Sequence, residues 1–123
     1  MRRGTTLKRN EIKRNMKYKL YREGTQTKLE FIDNARGIGR EITPERSQKV
    51  HNHSPDGFEW GYGGSGPSQT ALAILLDAIN NDETAFSLHQ AFKMEFIAGL
   101  PDEGGEIYLG VILDWIIQQT HEY

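Results

Sequence analysis

Alternation of apolar and polar residues marks the first folded elements of the chain. Tyr18 and Leu20 fall on one side of an extended segment, and Leu29 and Phe31 repeat the pattern. This period of two is typical of strands with one buried face. The intervening residues 23–26 have turn-like composition, so the pattern predicts an antiparallel hairpin.

Two further strands are expected after this hairpin, on weaker patterns. Residues 34–39 have turn chemistry, and residues 40–43 then suit a third strand that ends at Pro44. Residues 48–51 are the candidate for a short fourth strand. A small antiparallel sheet of three to four strands is therefore predicted in the N-terminal half.

The C-terminal half has helical periodicity. Gly66, as a cap, and Pro67, as the first helical residue, start a predicted helix that runs to about Ile79 and is apolar nearly all round. A second helix, capped by Asn80 or Asp82, ends at residues 99–101. A final helix covers residues 107–119, with room for a short strand through its first residue.

These elements predict one α+β domain over residues 16–123, with the sheet packed on about three helices. Residues 1–15 lack hydrophobic periodicity and are expected to form a basic flexible tail. The 123 residues, 37% of them hydrophobic, are enough for one core.

Composition limits the cell compartments and the types of active site that we expect for this protein. The chain has no cysteine, so disulfides, thiol nucleophiles and thiolate metal sites are excluded. It has no apolar run long enough to span a bilayer and no apolar segment after the basic N-terminus. We therefore expect a cytoplasmic protein without a membrane partner, in the host cytoplasm if a phage encodes it.

Charge is distributed unevenly along the chain. The first 22 residues hold nine Lys or Arg and one acidic residue, a charge of +8. Because the net charge of the chain is −2, the remaining 101 residues carry −10. A basic tail can bind nucleic acid weakly through phosphates, whereas the acidic body would repel it. A solvated tail that only aids solubility explains the same charges and is favoured.

The segment from Gly57 to Gly66 is the most distinctive in the chain. It combines five glycines with three alternating aromatic residues and leads into the apolar helix. Glycine N–H groups at a helix start can hold an anion, and aromatic faces can stack on a base. A tight turn with the aromatics in the core explains the pattern equally well. The candidate ligand-binding residues are Phe58, Glu59, Trp60, Tyr62, Gly63, Gly64, Ser65, Gly66 and Ser68.

Catalytic and metal-binding patterns are weaker. His51 and His53 lie on one side of an extended segment and are minor candidates for metal ligands, but turn formation there is favoured. Glu59 is the best acid or base if any chemistry occurs. His89 reads as a partly buried, hydrogen-bonded imidazole. No catalytic residue, cofactor or metal is assigned.

Residues 52–78, with Gly57, Phe58, Glu59, Trp60 and the Gly61–Gln69 segment, resemble an uncharacterised family of small bacterial and phage proteins, a domain of unknown function. The likeness covers residues 16–117 in outline and departs from the pattern at Gly104 and Gly105. It implies no established activity. It does imply a phage or mobile-element context, in which small accessory proteins counter host defence by binding a defence protein or a nucleotide signal.

Three functions remain open. The first is a non-enzymatic binder of a phosphorylated, nucleotide-like ligand at the Gly57–Gly66 loop. The second is an acidic interaction module that inhibits a host protein. The third is a small enzyme that uses Glu59 with His51 or His53. The expected partners are thus a small molecule or a host protein, and a homo-oligomer is also open.

Overall fold

A computed structural model describes residues 15–120, which form a four-stranded antiparallel sheet and four α-helices. The strands are β1 (Met16–Glu23), β2 (Gln26–Asp33), β3 (Ile38–Glu41) and β4 (Gly104–Tyr108). The helices are α1 (Glu45–Val50), α2 (Ser65–Ile79), α3 (Asp82–Phe92) and α4 (Leu109–Thr120), and α3 continues as a π-helical turn, Lys93–Ile97. The predicted α+β class is confirmed. The tail expected over residues 1–15 lies almost wholly outside the described residues.

The sheet has the order β3-β2-β1-β4. The predicted hairpin is β1 and β2, which pair from Met16 with Asp33 to Glu23 with Gln26. The fourth strand comes from the C-terminal part of the chain and pairs antiparallel with β1. Its first residue needs glycine: Gly104 has φ of +105°, and a Cβ there would collide with the backbone of Leu20.

One face of the sheet and helix α2 form the core. Tyr18, Leu20, Leu29 and Ile107 are buried from the strands, in agreement with the period of two. All residues from 66 to 76 in α2 are buried, as its nearly complete apolar surface predicted. Helix α2 is therefore the central element against which the sheet, α1, α3 and α4 pack.

Two strand predictions need correction. Residues 48–51 are not a strand, because Glu45–Val50 forms helix α1. Pro44 precedes this helix with φ of −72°, which suits a helix start, and the charges of Glu45 and Lys49 complement the helix dipole. The third strand, predicted at residues 40–43, is displaced to Ile38–Glu41.

The predicted helix caps are also corrected. The N-cap of α2 is Gly64 rather than Gly66, so Pro67 is the third helical residue, where an intrahelical N–H bond is still not required. Asn80 does not cap α3. It ends α2 in the left-handed conformation, and Asn81 caps α3 by accepting a hydrogen bond from the Thr84 N–H at 3.1 Å.

None of the helices within residues 15–120 is both long and apolar enough to cross a membrane.

Candidate functional site

The three aromatic residues of the loop have different environments. Phe58 and Trp60 are buried, with 4% and 2% of their surface exposed, and the Trp60 indole donates a hydrogen bond to the Asp102 carbonyl at 3.0 Å. Tyr62 is 52% exposed. Gly61 causes the change of direction, because its φ of +90° turns the chain between the buried Trp60 and the exposed Tyr62. Only Tyr62 therefore presents a ring face to a ligand.

The start of α2 has unpaired backbone donors. The N–H groups of Gly63, Gly64, Ser65 and Gly66 donate to no atom of the described residues, and the first paired N–H is that of Ser68, bonded to the Gly64 carbonyl at 3.1 Å. Gly63 and Ser65 are exposed. Such a helix start carries a partial positive charge, so it attracts anions.

Tyr62 lies beside these donors. A Cβ on Gly64 would be 2.6 Å from Tyr62 Cε2, so the ring covers one side of the helix start. Ser68 is less available than predicted, because it is buried and its hydroxyl already contacts the Gly64 carbonyl at 3.1 Å and Gln90 Oε1 at 3.3 Å. Gly66 is buried, so Tyr62 and the N–H groups of Gly63, Gly64 and Ser65 remain the ligand-facing part of the predicted loop.

Lys93 brings a positive charge to the same place. Its side chain comes from the end of α3 and is only 8% exposed, and its ammonium donates a hydrogen bond to the Gly63 carbonyl at 2.9 Å. Among residues 15–120 no carboxylate lies within ion-pair distance of Lys93. A buried charge without a counter-ion is costly, so this ammonium favours an anion nearby.

Glu59 forms an ion pair beside the start of α2, where a Cβ on Gly66 would lie 2.6 Å from Glu59 Cβ. Arg22 binds its two carboxylate oxygens at 3.0 and 3.3 Å, and also donates to the Asp102 carbonyl at 2.7 Å. The Arg22 guanidinium lies 4.7 Å from the centre of the Trp60 ring. Within the described chain Glu59 has no hydrogen bond to a histidine side chain, so its contacts are with Arg22 rather than with His51 or His53.

His51, His53 and His89 form a histidine cluster. The Nε2 atoms of His53 and His89 are 2.8 Å apart, and His89 Nδ1 donates to the Phe86 carbonyl at 2.6 Å. The ring of His51 is centred 4.2 Å from that of His53. His89 is 2% exposed, which agrees with the predicted buried, hydrogen-bonded imidazole.

Burial lowers the pKa of His53 and of His89 below the usual value of 6.5. For His53, the positive charges of His51, His89 and Lys93 lower it further. For His89, the hydrogen bond to Phe86 opposes the shift, while His51 and Lys93 add to it. Both imidazoles are therefore neutral near pH 7.

Gln69, which the sequence did not mark, fixes the segment that carries the histidines. It is fully buried in α2, and its Oε1 accepts from the N–H groups of His53 and Ser54 at 2.7 and 2.9 Å. Its Nε2 donates to Ser47 Oγ at 2.9 Å and to the His51 carbonyl at 3.1 Å. The segment thus has a defined position against α2 and α3.

A metal centre has no obvious set of ligands here. In the part of the chain from residue 15 to 120, no three His, Asp or Glu side chains converge so as to hold a metal ion. The ammonium of Lys93, in contrast, is a positive charge next to the start of α2, which suits an anion.

Comparison with known proteins gives a family but no activity. A search of curated proteins and a search of solved structures found no significant match. One family model, described as a family of unknown function (DUF6166), matches residues 24–118, which include the loop, Gln69, the histidine cluster and Lys93. The chain therefore belongs to the family of unknown function DUF6166.

Proposed function

We propose that the protein is a non-enzymatic binder of a phosphorylated, nucleotide-like ligand, with a phosphate group at the start of α2. The observation that carries this proposal is the Lys93 ammonium, buried without a carboxylate partner among residues 15–120 and bonded to the Gly63 carbonyl. The unpaired N–H groups of Gly63, Gly64 and Ser65 supply the other donors. An ammonium and a helix start on one anion are a common arrangement in phosphate sites.

The groove next to Tyr62 fits the remainder of such a ligand. It has a volume of about 540 Å³ and is lined by Tyr62, Trp60, Thr25, Arg22, Glu59 and Asp102, among others. The exposed Tyr62 ring offers a surface for stacking, and the carboxylates of Glu59 and Asp102 can accept hydrogen bonds from amino or hydroxyl groups. These features favour a nucleotide over a bare phosphate.

The cellular role is proposed from the resemblance to bacterial and phage proteins. A small protein that holds a nucleotide signal would lower its free concentration, and a phage or mobile element would thereby counter a host defence. This part of the proposal depends on the ligand being a signalling nucleotide.

A second candidate, binding to a host protein, is favoured by exposed apolar side chains on the π-helical turn after α3 and on α4. Met94, Val111 and Ile117 are 63%, 49% and 53% exposed. Met94 borders the loop, because a Cβ on Gly63 would lie 3.8 Å from Met94 Sδ. Val111 and Ile117 belong to α4, and substituting these two residues by Ser should weaken such an interface and leave phosphate binding unchanged. Recovery of a host protein by the wild type but not by this variant would support the second candidate.

Calorimetry tests the leading proposal. The wild type is titrated with inorganic phosphate and with mono-, di- and cyclic nucleotides, next to a Lys93→Met variant and a matched Lys49→Met control. Met keeps much of the length of the buried side chain and removes the charge, while Lys49 is exposed on α1. We expect Lys93→Met to lose binding and Lys49→Met to keep it. Absence of binding by the wild type at millimolar ligand, or equal binding by Lys93→Met, contradicts the proposal.

A further inference from the structure

The protons of the histidine pair can be placed from the hydrogen bonds. The Phe86 carbonyl can only accept, so His89 Nδ1 carries the proton in that 2.6 Å bond. In neutral His89 the Nε2 atom therefore has a lone pair. Since His53 Nε2 lies 2.8 Å away, it must carry the proton that joins the two rings.

The consequence for His53 concerns its other nitrogen. With its single proton on Nε2, a neutral His53 has only a lone pair at Nδ1, which cannot donate to an anion. No residue of the described chain hydrogen-bonds to this nitrogen. If His53 takes up one proton, Nδ1 becomes a donor while the bond from Nε2 to His89 is kept. Protonation thus converts His53 into an anion ligand without disturbing the pair.

The pair is close to the proposed phosphate site. His89 and Lys93 are four residues apart, which places them about one helical turn, roughly 5.4 Å, from each other on one face. The charge of Lys93 acts on both imidazoles. Gln90 connects the two places directly, because its side chain contacts both His89 Nε2, at 3.3 Å, and Ser68 Oγ, at 3.3 Å.

Among residues 15–120, the charges that act on His53 are those of His51, His89 and Lys93, and no carboxylate is among them. Within this part of the chain, an imidazolium at His53 would therefore be repelled by its charged neighbours in the free protein. A second phosphoryl group, placed between Lys93 and His53, would reverse this balance. The same group would then favour the proton on Nδ1.

We propose that the ligand carries a diphosphate, with one phosphoryl group at the start of α2 and Lys93 and the second at His53, which takes up a proton from solvent as it binds. This inference rests on the proposed function and names its substrate class. His51, exposed and adjacent to His53, lies where it can add a further donor to the same phosphoryl group.

The test compares inorganic pyrophosphate with inorganic phosphate by calorimetry at about pH 6 and about pH 8, on either side of the usual range of histidine. The variant is His53→Gln, because a glutamine amide can still donate to His89 but does not titrate. His121→Gln, in the C-terminal residues outside the described part, is the matched control. Titrations in two buffers of different ionisation enthalpy give the protons taken up, and the difference between wild type and His53→Gln removes the protons of the ligand itself.

We expect the wild type to prefer pyrophosphate over phosphate at the lower pH. Uptake of one proton raises affinity by up to about ten-fold for each unit by which pH falls, so the preference of the wild type over His53→Gln for pyrophosphate should be larger at about pH 6 than at about pH 8. His53→Gln should bind phosphate as the wild type does, and His121→Gln should be unchanged. Equal pyrophosphate affinity and equal proton uptake in wild type and His53→Gln would overturn this inference while leaving phosphate binding intact. Failure of the wild type to bind either anion would overturn the proposed function itself and this inference with it.

Discussion

Substitution of Gln69 by Leu tests how the histidine segment is held. Leucine is close to glutamine in size, so α2 keeps its packing, but the amide that joins α2 to residues 47–54 is lost. The His53 and Ser54 N–H groups and the His51 carbonyl each lose the partner described above. Ser47 keeps a bond, because its hydroxyl also donates to the Pro44 carbonyl at 2.8 Å.

The magnitude follows from these three orphaned backbone groups. Leaving a buried group unpaired costs about 1–3 kcal/mol, and water can reach this partly buried segment, so each group is taken at the lower limit. The expected loss in the free energy of unfolding is about 3 kcal/mol, a large share of the roughly 5–15 kcal/mol of a typical domain.

Urea unfolding, followed by the fluorescence of Trp60 and Trp115, measures this loss. The matched control is Gln118→Leu at an exposed position of α4, which should change stability by less than about 0.5 kcal/mol. If Gln69→Leu lowers the free energy of unfolding by no more than the control, the four hydrogen bonds do not hold the segment and the reasoning is refuted.

Three other predictions concern stability. The Tyr18 hydroxyl donates to Asp77 Oδ2 at 2.7 Å, and burial, followed by the Asp77 charge, raises the pKa of Tyr18 above 10.0. The contribution of this hydroxyl to stability is therefore complete below pH 10.0 and is lost as pH rises above it. Tyr18→Phe should accordingly reduce the fall in the free energy of unfolding at alkaline pH. Gly104→Ala should lower the free energy of unfolding in urea by about 2 kcal/mol or more, because of strain at positive φ and contact with the β1 backbone. The control Gly99→Ala, which has open space around it, should lower it by less than about 1 kcal/mol. Equal losses would contradict the conformation assigned to Gly104. Because the pKa of His89 is lowered on folding, the free protein should lose stability as pH falls below 6.5, and His89→Gln should reduce that slope; an unchanged slope would show that His89 is not held neutral.

Sequence patterns were sufficient where a single element determines its own structure. Helix α2 is buried on all sides, so its eleven consecutive buried residues appear in the sequence as an apolar run. The hairpin is buried on one side, so Tyr18, Leu20 and Leu29 appear as an alternating pattern. The patterns failed where the local preference is slight. Residues 45–50 contain few apolar residues, so neither period is visible. The sequence predicted Asn80 or Asp82 as the cap of α3, and the actual cap, Asn81, depends on where α2 ends.

The site was only partly predictable for a different reason. The glycines and Tyr62 lie in one continuous segment, so their composition indicates a loop before a helix. Lys93, Gln69 and His89 reach the site from α3 and α2 through tertiary packing, and no spacing in the sequence connects them with residues 51–66. Trp60 differs from these residues, because the sequence marked it as a candidate for stacking on a ligand and its ring is buried in the core.

The central claim, that an anion binds at the start of α2 beside Lys93, is tested most directly by NMR. Amide resonances of ¹⁵N-labelled protein are followed during titration with inorganic phosphate, for the wild type and for Lys93→Met. The account predicts that the largest shifts occur at Gly64, Ser65 and Gly66 and that they disappear in the variant. Shifts confined to the basic residues 1–14, or shifts at Gly64 to Gly66 that persist in Lys93→Met, would contradict it.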